Sequence, residues 1–223
     1  MPIPAISPYP MPLPADVPDN VMTWAPDPDR AVLLIHDMQR YFVEFFPAAS
    51  SPVTDLVANT VRLRAACQEH GVPVVYTAQP GDMTAQERGL LRDVWGPGMS
   101  TNPRHRAIVD ELTPGPHDQV FTKWRYSAFH RSGLLASLRT QGRDQLLICG
   151  IYAHVGCLIT ACDAFSHDIQ PFLVADAVAD FSAEYHRLAL WYAAERCAAT
   201  PFTGDVVQAL ARARPAAMTG TAG

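Results

Sequence analysis

The stretch AVLLIH, Ala31 to His36, is a run of five apolar residues closed by a histidine, and Asp37 follows it directly. A half-exposed strand would alternate apolar and polar residues, whereas this run does not. An uninterrupted apolar run of strand length is typical of a strand buried on both faces, as in a parallel sheet. The stretch therefore predicts a central strand with Asp37 at its carboxyl end.

Strand and helix signals alternate on the C-terminal side of this run. Short apolar runs predict further strands at residues 73–77, 119–122, 145–149 and 171–174. Apolar residues at helical spacing predict helices over residues 56–69, 133–140, 156–165 and 182–199, the last with Ser182 as N-cap. This alternation predicts a three-layer α/β fold, in which helices cover both faces of an open, mostly parallel sheet.

The length of 223 residues fits one domain, which we expect to span residues 1–223. Residues 1–29 hold much of the proline and are expected to form an extended arm lying on that domain. Residues 213–223, rich in Ala, Gly and Thr, are expected to form a flexible tail.

Composition argues against several classes of protein. The formal net charge is -5 and the basic residues are scattered, so we expect no nucleic-acid partner. No apolar run is long enough to cross a membrane, and no signal peptide is evident, so no membrane partner is expected either. The five cysteines suggest reduced thiols in a cytoplasmic protein rather than a disulfide framework.

The sequence contains no metal-binding motif. Its five cysteines lack C-x-x-C spacing, and its eight histidines lack H-E-x-x-H spacing. We therefore expect no metal site and no cofactor.

Ligands of open parallel sheets bind beyond the carboxyl ends of the strands, which directs attention to the residues just after each strand. Asp37 has two interpretations at such a position. It could cap the next helix, or it could be a buried general acid, because burial raises a carboxyl pKa and favours the protonated form.

Lys123 and the loop at residues 150–156 also come just after predicted strands. Lys123 is either a solvated lysine or a binder of an anionic substrate that also lowers the pKa of Asp37. Lys123 and Arg125 would point to the same side of an extended segment. The loop offers backbone N–H groups at a helix N-terminus, although its glycines do not have dinucleotide-binding spacing.

Cys157 also has two interpretations. A thiol in the first turn of a helix has a lowered pKa, which makes Cys157 formally a candidate nucleophile. Otherwise it is a small buried hydrophobic residue.

Six ordered blocks resemble the isochorismatase-like hydrolase family and together cover almost the whole domain. They are HDMQRYF from His36, YTAQP from Tyr76, RGLLRDVWGPGM from Arg88, KWRYSAF from Lys123, GIYAHVGC from Gly150 and DIQPFLVADAVADFS from Asp168.

The resemblance separates two branches at residue 156. Amidase members such as nicotinamidases carry a nucleophilic cysteine where this chain has Gly156, and Cys157 comes one residue too late, a turn of about 100 degrees on a helix. Nicotinamidases also carry an Asp-x-His metal motif where this chain reads Ala78-Gln79-Pro80. The chain therefore looks like the isochorismatase branch, which keeps the Asp and the Lys without the thiol.

The resemblance implies a mechanism and a set of roles. Asp37 would protonate the methylene carbon of a vinyl ether, and Lys123 would hold the substrate and orient Asp37. The remaining implied roles are carboxylate binding by Gln79 and Arg88, contacts to the enolpyruvyl group from the Gly156 N–H and the Tyr152 hydroxyl, and walls formed by Phe42 and Trp95. Members often contain a non-proline cis peptide before residue 156, and a homodimer is implied.

Two sub-branches of the family fit the chain. Siderophore-pathway members are commonly followed by an aryl carrier domain, which we do not expect in this chain because too few residues follow Ser182. Stand-alone phenazine-pathway members share the ISPYPMPLP, RGLL and DIQPFLVADA blocks and convert 2-amino-2-deoxyisochorismate to trans-2,3-dihydro-3-hydroxyanthranilate and pyruvate. We expect this dicarboxylate to be the substrate, with isochorismate as the alternative; a cysteine amidase or a non-catalytic docking protein would be a different class.

Overall fold

The computed structural model describes residues 3–213. Five strands form one sheet, in the order β3-β2-β1-β4-β5, and all neighbouring strands are parallel. The strands are β1 (Ala31–His36), β2 (Val74–Ala78), β3 (Gln119–Thr122), β4 (Gln145–Ile151) and β5 (Gln170–Ala179). The chain first builds outward from β1 to β3 and then continues on the other side of β1. This reversal places a topological switch point at the carboxyl end of β1.

Helices of very different length connect the strands. They are α1 (Arg40–Val43), α2 (Val53–Glu69), α3 (Ala85–Arg88), α4 (Leu91–Trp95), α5 (Pro103–Arg106), α6 (Leu134–Thr140), α7 (Leu158–Ser166), α8 (Ala183–Arg196) and α9 (Thr203–Ala213). No helix among residues 3–213 is long and apolar enough to span a membrane.

Successive side chains of β1 supply two separate cores. Leu33 and Ile35 pack on one face with residues of α2 and α9, and Val32 and Leu34 pack on the other face with residues of α6, α7 and α8. Each buried Leu, Ile or Val contributes about 1.5–3 kcal/mol of burial free energy. The predicted three-layer α/β fold is therefore confirmed, and β1 is its central strand.

Several element boundaries differ from the prediction. The strand predicted at residues 171–174 continues to Ala179, because Gly150 and Ile151 of β4 pair with Val178 and Ala179 beyond an irregularity in the register. Alanine and aspartate in residues 175–179 have low strand propensity, which hid this extension. The helix predicted at residues 156–165 is a wide turn, Ala153–Cys157, followed by α7.

The end of the chain contains a helix that the sequence analysis missed. Val206 and Leu210 of α9 are buried beside α2. Ser182 does cap α8, since its hydroxyl accepts the N–H of Tyr185 at 3.4 Å. The predicted flexible tail, residues 213–223, lies outside the described residues except for Ala213, which ends α9.

The segment before β1 packs closely on the sheet. Ile6 and Tyr9 are buried, and the Tyr9 hydroxyl accepts the N–H of Asp180 at 2.7 Å, just beyond β5. Ile3 reaches the cleft at the carboxyl ends of the strands.

Candidate active site

A cleft of about 520 Å³ lies at the carboxyl end of β1, where the switch point of the sheet is located. Eight residues were assigned to a site from the sequence. All eight form part of the lining of this cleft. They are Asp37, Phe42, Gln79, Arg88, Trp95, Lys123, Tyr152 and Gly156. Residues as far apart in the chain as Asp37 and Gly156 are thus brought together by the parallel sheet, as the strand-end rule predicts.

Asp37 points into the cleft instead of capping a helix. Its φ of 51° lies in the left-handed region, which turns the chain sharply at the end of β1. The next helix begins at Arg40 with Gln39 in the N-cap position. The helix-capping interpretation of Asp37 is therefore wrong.

Three neighbours hold the Asp37 carboxylate. The Thr77 hydroxyl donates to Oδ1 at 2.7 Å, and the Gln79 amide donates to Oδ2 at 3.5 Å. The Lys123 ammonium lies 3.4 Å from Oδ2. These partners fix the carboxylate on both oxygens.

The charge state of Asp37 follows from opposing influences. Burial raises its pKa, but the positive charge of Lys123 and the hydrogen bonds from Thr77 and Gln79 outweigh burial, so the pKa lies below its ordinary value. The sequence left open whether burial or Lys123 has the larger effect on the pKa of Asp37. In the free protein the lowering effect is larger, which favours the ionised form.

Lys123 is not a solvated surface lysine. Only 2% of the residue is exposed, and its ammonium donates to the Arg125 carbonyl as well as facing Asp37. Its position follows from β3, whose carboxyl end it extends, with the Lys123 N–H donating to the Ala78 carbonyl of β2. A buried ammonium with one carboxylate partner can also bind an added anion.

Arg88 and Gln79 form the polar wall opposite. Arg88 is 6% exposed, its Nη1 donates to the Gln79 side-chain oxygen at 3.2 Å and its Nε donates to the Gly96 carbonyl at 3.1 Å. Burial lowers the pKa of Arg88. Within residues 3–213 the guanidinium forms no salt bridge, which leaves its charge available to a carboxylate ligand.

The loop after β4 differs from the expected donor arrangement. The Ile151–Tyr152 peptide is cis, as the resemblance implied. However, the Gly156 N–H donates to the Tyr152 carbonyl at 3.0 Å, and the Tyr152 hydroxyl donates to the Phe42 carbonyl at 2.8 Å. Both expected donors are therefore already paired within the protein, and their implied contacts to a substrate stay a prediction.

Cys157 lies outside the cleft. It is fully buried in the core beneath α7, and burial raises its thiol pKa well above the ordinary value. The nucleophile interpretation is therefore wrong, and Cys157 is a small buried hydrophobic residue. Among residues 3–213 no three His, Cys, Asp or Glu side chains are grouped closely enough to hold a metal ion.

Aromatic rings form the apolar wall. Tyr152 packs against Phe42 and Phe181, with ring centroids 6.3 Å and 4.3 Å apart, and Trp95 packs against Phe181 at 5.8 Å. The Trp95 indole N–H donates to the Tyr126 hydroxyl at 2.9 Å.

Several other residues line the cleft that were not predicted from the sequence, among them Ile3, Leu91, Tyr126 and Phe181. Phe181 follows the carboxyl end of β5, so the strand-end rule would have found it if the full length of β5 had been recognised. No sequence signal placed Ile3, which comes from the N-terminal segment.

The parallel sheet thus carries a buried Asp37–Lys123 pair at its switch point, with the Arg88 guanidinium in the wall of the same cleft. Comparison with known proteins identifies the class of hydrolase that has this fold. The isochorismatase domain model matches residues 31–204, and the chain belongs to the isochorismatase family. The predicted family resemblance is thereby confirmed.

Relatives come from several pathways. The chain is 57% identical to the isochorismatase of Bacillus subtilis over 96% of this chain and 68% of that protein. It is equally identical, 57%, to phenazine biosynthesis protein PhzD1 of Pseudomonas aeruginosa over 92% of this chain and 99% of that protein. Enterobactin synthase component B of Escherichia coli K12 is 47% identical over 98% of this chain and 76% of its own length.

Solved structures support the fold. A cysteine hydrolase from Pseudomonas syringae superposes with a TM-score of 0.78 at 22% identity, covering 88% of this chain and 99% of that one. At that identity the likeness establishes the α/β architecture alone.

Proposed function

We propose that the protein hydrolyses the enolpyruvyl vinyl ether of 2-amino-2-deoxyisochorismate to trans-2,3-dihydro-3-hydroxyanthranilate and pyruvate. The observation that carries this proposal is the buried Asp37 carboxyl, held by Thr77 and Lys123 in a cleft whose polar wall includes Arg88. The relative PhzD1, a phenazine biosynthesis protein aligned over 99% of its length, supports a phenazine-type reaction.

The proposed reaction needs one positioned acid. Protonated Asp37 donates its proton to the terminal methylene carbon of the vinyl ether, which generates an oxocarbenium ion. Water adds to that cation, and the resulting hemiketal collapses to pyruvate and the ring alcohol. The net reaction consumes one water. The proton that this water loses on adding to the cation restores the acid, and on collapse the hemiketal hydroxyl proton ends on the departing ring oxygen.

Substrate binding supplies the condition for protonating Asp37. In the free protein the positive charge of Lys123 holds the pKa of Asp37 down. A dicarboxylate bound to Lys123 and Arg88 would offset that charge and bring a negative group near Asp37, both of which raise its pKa. The same ion pairing would orient the enolpyruvyl group against the acid.

Isochorismate is the second candidate substrate. The Bacillus subtilis relative is an isochorismatase at 57% identity, and an amino-for-hydroxyl exchange on the ring leaves the cleaved bond unchanged. The homodimer, the cytoplasmic location and the independence from metals and cofactors stay predictions.

Pyruvate release from both substrates tests the proposal. Wild type is compared with Asp37→Asn, which keeps the size of the side chain but has no acidic proton, and with Asp55→Asn at an exposed aspartate of α2 as the matched control. We expect Asp37→Asn to lose roughly 100- to 10,000-fold of the rate, the range for removing a general acid, and the control to be unchanged. Equal rates for Asp37→Asn and wild type would exclude Asp37 as the proton donor.

A further inference from the structure

Gly156 lies directly against the imidazole ring of His36. A Cβ atom added to Gly156 would stand 2.3 Å from His36 Cε1, 2.9 Å from Nε2 and 3.2 Å from Nδ1. Carbon atoms in proteins do not approach ring atoms at the first of these distances. The backbone of Gly156 does not have a positive φ, so the ring and not the backbone conformation excludes a side chain here.

The imidazole has little freedom to move aside. His36 is fully buried in β1, between Thr77 of β2 and Gly150 of β4. Its Nδ1 lies 2.8 Å from the Ile151 carbonyl oxygen. Because that oxygen can only accept, Nδ1 must carry a hydrogen and donate it. Gly150 of β4 packs equally close to the His36 backbone, since a Cβ on Gly150 would stand 2.2 Å from the His36 carbonyl oxygen. The loop from Gly150 to Gly156 is thus wrapped around His36.

We propose that His36 is a specificity-determining residue that reserves position 156 for glycine. By filling the volume of a side chain at 156, His36 keeps a nucleophilic thiol out of the cleft that contains Asp37 and Lys123. The steric part of this inference stands on the structure alone, while its meaning for reaction specificity rests on the proposed function. A single change of Gly156 to Cys would therefore not install a usable nucleophile, because the ring must be removed first.

A double-mutant cycle tests the steric part through the equilibrium constant of unfolding in urea. Gly156→Ala is measured in the wild-type background and in the His36→Ala background, and Gly204→Ala, where a Cβ would meet nothing within 4 Å, is the matched control. We expect Gly156→Ala to raise the unfolding constant roughly 10- to 100-fold beside His36 and less than about 3-fold without it. Equal effects in the two backgrounds would overturn the proposal.

Thiol reactivity tests the consequence for chemistry. Gly156→Cys is made with His36 and with His36→Ala, and alkylation of residue 156 by iodoacetamide is followed by peptide mass spectrometry. We expect alkylation at 156 at least about tenfold faster once His36 is removed, because the thiol can then occupy the cleft beside Lys123. Fast alkylation with His36 in place would contradict the proposal.

Two further arms keep the result interpretable. If the His36→Ala variant does not fold, His36→Asn replaces it, because asparagine is shorter but can still donate to the Ile151 carbonyl. If neither variant folds, the ring is required whatever residue stands at 156, and the proposal is overturned. Pyruvate release by wild type is measured separately. Its absence would refute the proposed reaction, while the urea and alkylation results would still decide the role of His36.

Discussion

The Lys123 ammonium lies 3.4 Å from the Asp37 carboxylate, with both side chains more than nine-tenths buried. Because the pair is buried, solvent screens its attraction only weakly. The charge of Lys123 has two opposing effects on the proposed reaction. It attracts an anionic substrate, and in the free protein it lowers the pKa of Asp37 and so favours the ionised carboxylate.

The first prediction concerns the pH dependence of kcat/KM. The pKa of Asp37 in the free protein lies below its ordinary value, so the protonated fraction at neutral pH is small and falls tenfold with each pH unit. We expect log kcat/KM to decrease by about one for each unit from about pH 5 to about pH 8. A flat profile measured over this range would contradict Asp37 as the general acid.

The second prediction concerns Lys123→Met, which removes the charge at nearly constant length. Without the ammonium, the largest influence that lowers the pKa of Asp37 is lost, so that pKa rises and the decrease in kcat/KM should begin at a higher pH. The value at neutral pH should nevertheless be lower, because the anionic substrate has lost a partner. Lys123→Arg keeps the charge and is the control; a profile for Lys123→Met that coincides with wild type would show that the pair is not coupled.

The third prediction concerns Arg88→Met. The guanidinium has no carboxylate partner within residues 3–213, so we expect it to bind a substrate carboxylate. Loss of a hydrogen bond to a charged group costs about 1.5–3 kcal/mol, so KM should rise roughly 10- to 100-fold with a smaller change in kcat. Arg62→Met, at an exposed arginine of α2, is the control, and a KM unchanged by Arg88→Met would rule out carboxylate binding there.

The fourth prediction concerns Tyr152→Phe, which separates a structural from a substrate-binding hydroxyl. The hydroxyl donates to the Phe42 carbonyl at 2.8 Å, and its removal leaves that buried carbonyl unpaired. We expect a loss of about 1–3 kcal/mol in the free energy of unfolding and less than about a threefold loss of kcat. A large loss of kcat with unchanged stability would restore the substrate contact that the family resemblance implied.

The fifth prediction concerns stability in acid. Burial lowers the pKa of both His36 and His186 from 6.5 to about 4. Between these values the unfolded chain binds more protons than the folded protein, so the free energy of unfolding must fall as pH decreases. Each histidine contributes a slope of up to about 1.4 kcal/mol per pH unit. Urea unfolding from pH 6.5 down to 4 should show this decrease, with a smaller slope for His186→Gln; no decrease would contradict buried, neutral histidines.

Much of the site could be predicted because parallel strands bring their carboxyl ends together. Asp37, Gln79 and Lys123 each follow a different strand, and the strand-end rule alone selected them. Arg88, Trp95 and Phe42 could be selected only through the family resemblance, because nothing in their local spacing indicates a cleft. The sequence did not show that the Gly156 N–H and the Tyr152 hydroxyl already have partners within the protein, since such partners cannot be deduced from residue types.

The sequence by itself determined the alternation of buried strands and amphipathic helices, and with it the layered fold and the end of the sheet at which the cleft lies. It did so because apolar periodicity depends only on local residue order. Only the tertiary structure decided that Lys123 outweighs burial at Asp37, that Cys157 is enclosed in the core and that His36 fills the side-chain space at Gly156. Each of these depends on distances between residues remote in the chain, on which electrostatic and steric energies vary too steeply to be read from order alone.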